Sequence, residues 1–156
     1  MVEPEIRYAT AADAPALLSL MRQYYAEDGY AFVERRARRA LERLLADPSL
    51  GRIWVMTVGS QMVGYFVLTL GFSLEYLGRD AFLDELYVLP DWRGRSLGGR
   101  ALPLVEEECR KLEVNALHLE VEPGKRRALR LYEKAGFERH ERYLMTKSLV
   151  PHDGTD

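Results

Sequence analysis

The chain is poor in cysteine, in histidine and in long apolar runs, and each scarcity excludes something. Cys109 is the sole cysteine, so no intrachain disulfide can form, and the chain reads as one made for a reducing compartment, the cytoplasm. That thiol falls on an apolar helical stripe, where cysteine packs; a nucleophile would need exposure and a positive setting. His118, His140 and His152 are scattered without ligand spacing, so no metal is expected. No apolar run approaches the length of a membrane span, and the N-terminus lacks the basic-then-apolar pattern of a signal peptide, so no membrane partner is expected. Charge of either sign is in short surplus: 22 basic residues face 24 acidic ones. A general nucleic-acid surface is therefore excluded. Internal repeats and low-complexity segments are missing too.

What is there suits one soluble domain. A chain of 156 residues, 47% apolar and 29% charged, can bury a real core. We expect that domain over residues 1–150, with 151–156 as a polar tail.

Residues 5–9 read as a short strand. Thr10 and Asp13 outline a capping box, with Pro15 in the first turn of the helix it opens. That helix carries Leu17, Leu18, Leu20, Met21, Tyr24 and Tyr25, and ends at Glu27-Asp28-Gly29. A second helical stripe runs from Val33 to Leu45. Its basic face, Arg35, Arg36, Arg38, Arg39 and Arg43, is that of a solvated helix. Two strands follow, 52–58 and 61–70, joined by a Gly59-Ser60 hairpin. A loop over 71–80, holding Phe72, Glu75 and Tyr76, lies near the end of the next strand, 81–89, where it either touches a ligand or is merely a loop.

That strand leads into the chain's organising stretch. The apolar run ends at Pro90. A basic, glycine-rich turn follows, Arg93-Gly94-Arg95-Ser96-Leu97-Gly98-Gly99. Leu97, Ala101, Leu104, Val105, Cys109 and Leu112 then fall at helical spacing to about Glu113. Glycines at a helix mouth let the backbone approach a ligand. The first helical N–H groups have no internal partners, and the helix dipole favours an anion there. Arg93 and Arg95 add charge and forked donors. The stretch is either a phosphate cradle or a basic loop capping a surface helix. Pro103 inside the helix should bend or loosen its second turn. Residues 116–122 alternate as a strand. A helix over 127–135 ends at Gly136, with Phe137 as its capping contact. Residues 141–149 alternate as a last strand.

Two motifs and the order of elements resemble the GNAT family of N-acetyltransferases. Arg93-Gly94-Arg95-Ser96-Leu97-Gly98, after a strand ending in Val-x-Pro, is similar to that family's Gln/Arg-x-x-Gly-x-Gly/Ala signature, which grips the pyrophosphate of acyl-CoA. Ser96 stands where the family usually has glycine; a serine fits there if its backbone is near helical, with the hydroxyl capping the helix or touching phosphate. The run from Ala128 to Phe137 resembles the family's Asn-x-x-Ala-x-x-Leu-Tyr-x-x-x-Gly-Phe, with Lys125 at the asparagine position. The resemblance covers nearly the whole chain. It implies an α/β fold in the order β-α-α-β-β-β-α-β-α-β, with a mixed sheet of six to seven strands and helices on both faces. Homodimers are usual in the family.

The resemblance also implies chemistry. Acetyl-CoA is the acetyl donor, with Arg93, Gly94, Arg95, Ser96, Leu97, Gly98 and Gly99 at its pyrophosphate. Leu86, Tyr87 and Val88 would pair with its pantetheine arm like an added strand, and the Val88 N–H would polarise the thioester carbonyl. Lys125 would reach a phosphate or face water. Tyr132 matches the family's general acid; by chemistry alone it is a packing tyrosine. Asp84 and Glu85 are adjacent, and strand alternation would put them on opposite faces. Either is a candidate to take the amine's proton and attract a cation, or both are structural. The region from Gly64 to Glu85 resembles the spermidine/spermine-type branch, where Asp84 would be the base and Glu85 the substrate-contacting acid. The expected activity is acetylation of a small cationic amine by direct attack in a ternary complex. The alternatives are acetylation of a protein N-terminus or lysine, and a non-catalytic acyl-CoA-binding module.

Overall fold

Alternating apolar residues drive the first part of the chain into a meander over which the helices pack. The computed structural model describes residues 2–151. Strands β1 (Glu5–Tyr8), β2 (Gly51–Val58), β3 (Gln61–Ser73) and β4 (Gly78–Val88) pair antiparallel in that order, and β5 (Ala116–His118) lies parallel to β4. Helices α1 (Ala14–Asp28) and α2 (Glu34–Ala46) connect β1 to β2. Helix α3 (Leu97–Lys111) makes the crossover that a parallel pair requires, and α4 (Arg126–Lys134) follows. The chain forms two compact units, Met1–Glu122 and Pro123–Asp156.

In the larger unit the two faces of the sheet bury separate sets of side chains. Ile53, Val55, Tyr65, Val67 and Tyr87 pack with Leu17, Leu18, Leu20 and Leu41 of α1 and α2. Their sequence neighbours Trp54, Met56, Phe66 and Leu68 are buried on the opposite face, which α3 meets with Leu97, Ala101, Leu102, Val105 and Cys109. Full burial of a side chain of this size stabilises by about 1.5–3 kcal/mol. Trp54 stacks on Phe66 at 4.8 Å. Burial pushes the Cys109 thiol up to about 11, so it stays protonated and packs.

Polar groups fix how the helices enter. The Thr10 amide donates to the Asp13 carboxylate at 2.7 Å, and Arg7 forks onto the same group at 2.8 and 2.9 Å. The Arg7 hydrogen bonds hold the Asp13 carboxyl down to about 2. On α3, Glu108 is buried at 6% exposure. It accepts the Tyr8 hydroxyl at 2.9 Å and lies 3.5 Å from Arg52. A buried carboxylate held in this way ties β1 and β2 to α3. Nothing in its spacing marked it in the sequence.

Three expectations need correction. The loop over 71–80 is mostly strand: β3 continues to Ser73 and β4 begins at Gly78, because the hairpin ladder runs on through Gly71–Asp80 and Phe72–Arg79 pairs. Only four residues turn the corner. Helix α3 runs through Pro103 without a break; the proline removes the bond to the Gly99 carbonyl, as expected of a loosened second turn, and nothing in the structure explains its presence. The strand expected over 116–122 stops at His118, and residues 141–149 form neither helix nor strand, so the sheet has five strands instead of six or seven. Alternation makes a strand only where a neighbour completes the ladder. Of the expected polar tail, residues 152–156 lie outside the described residues.

Close approach of β2 to β3 gives a stability test. A Cβ on Gly51 would sit 2.0 Å from the Leu68 carbonyl oxygen, backbone against backbone, whereas one on Gly124 would meet nothing within 4 Å. Overpacking of this kind typically costs about 1–3 kcal/mol. Gly51→Ala should therefore lower the urea midpoint clearly, with Gly124→Ala near wild type. Equal midpoints for both variants would show that the strand pair yields freely.

Candidate active site

The site begins where β4 and β5 part. They pair only between Asp80–Phe82 and Ala116–His118. His118 Nε2 lies 3.1 Å from the Asp80 carboxylate, and the His118 ring contacts the rings of Tyr76 and Phe82, both at 5.0 Å. Past Phe82, β4 keeps only β3 as a partner among the described residues. The direction of its free amides follows from one hydrogen bond. Leu89 N–H donates to the Val63 carbonyl, on the β3 side, at 2.9 Å. Successive amides of a strand point to alternate edges, so those of Leu86 and Val88 face the free edge and that of Tyr87 faces β3. The Val88 carbonyl accepts Arg93 Nε at 2.8 Å. An extended chain bearing amides of its own can lie along such an edge as an added strand.

The acidic pair sits on this strand, and a bulge rearranges it. Val67 pairs with Glu85 but Leu68 pairs with Leu83, which leaves Asp84 as the extra residue. Two residues against one shifts the phase of the strand. Glu85 shares the Val67 face and Leu83 the Leu68 face, although simple alternation would put them together. Simple alternation therefore does not fix which face Asp84 takes relative to Glu85. The charge of Asp84 acts on both Glu85 and Tyr25.

Glu85 is held by two tyrosines. Its Oε2 accepts the Tyr25 hydroxyl and its Oε1 the Tyr65 hydroxyl, each at 2.5 Å. Burial raises the Glu85 pKa, the two phenols oppose that, and Asp84 adds to the rise; burial wins and the carboxyl lies above its ordinary value. Desolvation raises Asp84 as well. Burial and the neighbouring Glu85 raise Tyr25 and Tyr65, so both remain proton donors. Around them Tyr24 stacks on Tyr87 at 5.2 Å, and Tyr25 meets Tyr30 and Phe32 edge-on. A carboxylate set in such an aromatic wall attracts a cation and can take its proton. Sequence reasoning placed Tyr24 and Tyr25 on the core stripe of their helix and missed Tyr65. Their polar ends carried no signal there, since only the fold brings them to Glu85.

The cradle follows β4 directly. A 3-10 turn, Pro90–Trp92, precedes it. The first intrahelical bond of α3 is Arg100 N–H to the Ser96 carbonyl, 3.0 Å, so the amides of Leu97, Gly98 and Gly99 have no helical partner. The Leu97 side chain is buried, which leaves only its amide for a ligand. Gly94 and Arg95 are exposed, and Arg95 lies over the Trp92 ring at 4.6 Å. These groups fit a phosphate-bearing donor. Arg93 is turned elsewhere: its guanidinium forks onto Glu27 at 2.7 and 2.9 Å and lies over Tyr87 at 5.4 Å. It ties the end of α1 to the end of β4. Ser96 is left-handed, with φ 63° and ψ 23°, and its hydroxyl does not cap the helix. The near-helical backbone expected for it is not there, which accounts for glycine being the usual residue of this position.

In the smaller unit, Lys125 is the N-cap of α4. Tyr132 packs edge-on against Phe137 at 5.9 Å, and the Phe137 amide donates to the Tyr132 carbonyl at 3.0 Å. Gly136 supplies the positive φ, 102°, that this C-cap needs. Burial raises the Tyr132 pKa, so its hydroxyl keeps its proton.

A parted sheet, a bulged strand with a free edge, and a helix N-terminus at its end define an acyltransferase that takes an extended, phosphate-bearing donor. Residues 16–137 match the Acetyltransferase (GNAT) family. The chain belongs to that family, and it is an acetyl-CoA-dependent N-acetyltransferase. It is 28% identical over 147 residues to the aminoalkylphosphonate N-acetyltransferase of Salmonella typhimurium, covering 93% of this chain and 91% of that one. It is 31% identical to the thialysine N-epsilon-acetyltransferase of Bos taurus, over half of this chain and 45% of that one. The crystal structure of an integron cassette protein from the mobile metagenome of Cole Harbour Salt Marsh is similar at 41% identity and a TM-score of 0.84, covering 96% of this chain and 93% of that one.

Ser96 yields a direct test. A left-handed non-glycine residue costs about 1–2 kcal/mol, partly offset by the freedom glycine loses on folding. Ser96→Gly should raise unfolding free energy by about 0.5–1 kcal/mol in denaturant titration. A loss of stability would mean that the serine hydroxyl makes up for its backbone.

Proposed function

We propose that this enzyme acetylates the primary amine of a small cationic molecule, by direct attack in a ternary complex. The observation that carries the reading is Glu85, a half-buried carboxylate of raised pKa clamped by two tyrosine hydroxyls beside the exposed carboxylate of Asp84. An alkyl amine is almost wholly protonated at neutral pH, since its pKa is about 10.4. It cannot attack until that proton leaves. Asp84 and Glu85 concentrate the cation and take the proton, directly or through water, and Tyr25 and Tyr65 hold Glu85 in place. Both relatives named above carry the names of enzymes acting on small amines.

Acetyl-CoA, when bound, supplies an activated thioester. The amides of Leu97, Gly98 and Gly99, with Gly94, Arg95 and Ser96, receive the pyrophosphate, and Lys125 adds a charge. Arg93 fixes the cradle against α1. The edge of Leu86, Tyr87 and Val88 aligns the pantetheine arm, and the Val88 N–H stabilises negative charge on the carbonyl oxygen. As the C–N bond forms and the C–S bond breaks, Tyr132 gives its proton to the departing sulfur and regains one from solvent. The family match spans residues on both compact units, which supports reading 1–150 as one acetyltransferase domain.

Calorimetry with acetyl-CoA, followed by thiol release across diamines, amino acids, aminoalkylphosphonates and peptides, tests this reading. Turnover confined to peptides would overturn the small acceptor, and binding without any turnover would make the chain a non-catalytic module. Glu85→Gln should lower kcat by about 10²–10⁴-fold. Tyr25→Phe removes a hydrogen bond that holds the Glu85 pKa down, so the acid limb of the kcat/KM profile should move to higher pH. An unmoved acid limb would separate Tyr25 from the proton transfer.

A further inference from the structure

The Arg93 guanidinium is committed in three directions. Its fork closes on both oxygens of Glu27 at 2.7 and 2.9 Å, its Nε donates to the Val88 carbonyl at 2.8 Å, and it lies over the Tyr87 ring at 5.4 Å. A bidentate pair of this kind fixes direction as well as charge. Glu27 also accepts the Tyr87 hydroxyl at 3.3 Å, and Tyr24 stacks on the same ring at 5.2 Å. The whole cluster bears on one peptide group. The amide between Val88 and Leu89 is held at both ends, its N–H by the Val63 carbonyl at 2.9 Å and its C=O by Arg93. Directly before it stands the Val88 N–H, turned to the free edge of β4.

We propose that Glu27 is a positioning residue for acetyl transfer: it draws the Arg93 fork away from the donor's phosphates and, through that fork, steadies the Val88 N–H that polarises the thioester carbonyl. The inference rests on the donor site described under the proposed function. A forked guanidinium suits a carboxylate and a phosphate alike, so Glu27 and the donor compete for Arg93. A hydrogen-bond donor stabilises developing charge best when it is aligned beforehand and need not reorganise. Holding the end of β4 in advance therefore favours transfer, and the donor loses one phosphate contact. The two effects have opposite signs. Without the Glu27 charge, Arg93 turns to the phosphates, so donor binding holds or tightens while the alignment of Val88 is lost. A residue that only supported the fold would weaken both together.

Infrared difference spectra of the full chain with acetyl-CoA isotope-labelled at the thioester carbonyl test this, beside calorimetry with acetyl-CoA. On wild type the carbonyl stretch should move to lower frequency on binding. In Glu27→Gln, which keeps the shape of the side chain, that shift should shrink about twofold or more, while the dissociation constant does not rise. Arg93→Gln should lose the shift as well, and Glu27→Gln should change nothing further in that background, because Glu27 acts through Arg93. A full shift in Glu27→Gln would overturn the inference. So would a dissociation constant that rises as the shift is lost, or a second loss in the Arg93→Gln background. Wild type that binds acetyl-CoA without any shift, or does not bind it, would instead overturn the donor site itself, and the role of Glu27 with it.

Discussion

Among the described residues strand β4 is held on one side only past Phe82, and the rest of the site follows from that constraint. Three residues of parallel pairing and the His118–Asp80 contact fix the point of separation. Beyond it the amides of Leu86 and Val88 must face something other than β5. The helix whose N-terminal amides are unpaired begins nine residues after β4 ends. Edge and cradle are thus two parts of one rigid connection, and Arg93 braces that connection against Glu27 of α1. The aromatic wall on α1 is positioned by the same brace.

The order of elements through α4 was legible in the sequence because it rests on local periodicity and on strong stops such as Gly29, Pro48 and Gly136. The position of the cradle was legible for the same reason: an apolar run, glycines and a helical stripe are each local. That residues 141–149 form no strand was not legible, since alternation reports what a segment can do and not whether it joins a ladder. The acidic pair shows a subtler limit. Asp84 and Glu85 stood out as residues, but the bulge that gathers their charges is a property of the register with β3. Tyr25 and Tyr65 reach Glu85 from 60 and 20 positions away in the chain, and no window of sequence contains that contact.

Several features that break local rules lie at the site. Ser96 is left-handed, Asp84 has no opposite residue, and Glu85 places a carboxyl in partly desolvated surroundings. Each is unfavourable by itself, and such departures persist where the surrounding structure over-determines them. Here the surroundings are the two well-buried faces of the sheet, with Val55, Phe66, Leu68 and Val105 fully shielded.

The bulge at Asp84 is a single extra residue. Remove Asp84 and the ladder from Val67–Glu85 to Leu68–Leu83 runs without interruption, every core side chain keeping its face. A plain antiparallel hairpin and this candidate catalytic strand thus differ by one inserted codon. An extra residue that is not accommodated as a bulge inverts the side chains on one flank of a strand. At Asp84 the register shift absorbs that inversion, so the buried side chains on both flanks of β4 keep their faces while residue 84 itself has no partner on β3 to fit.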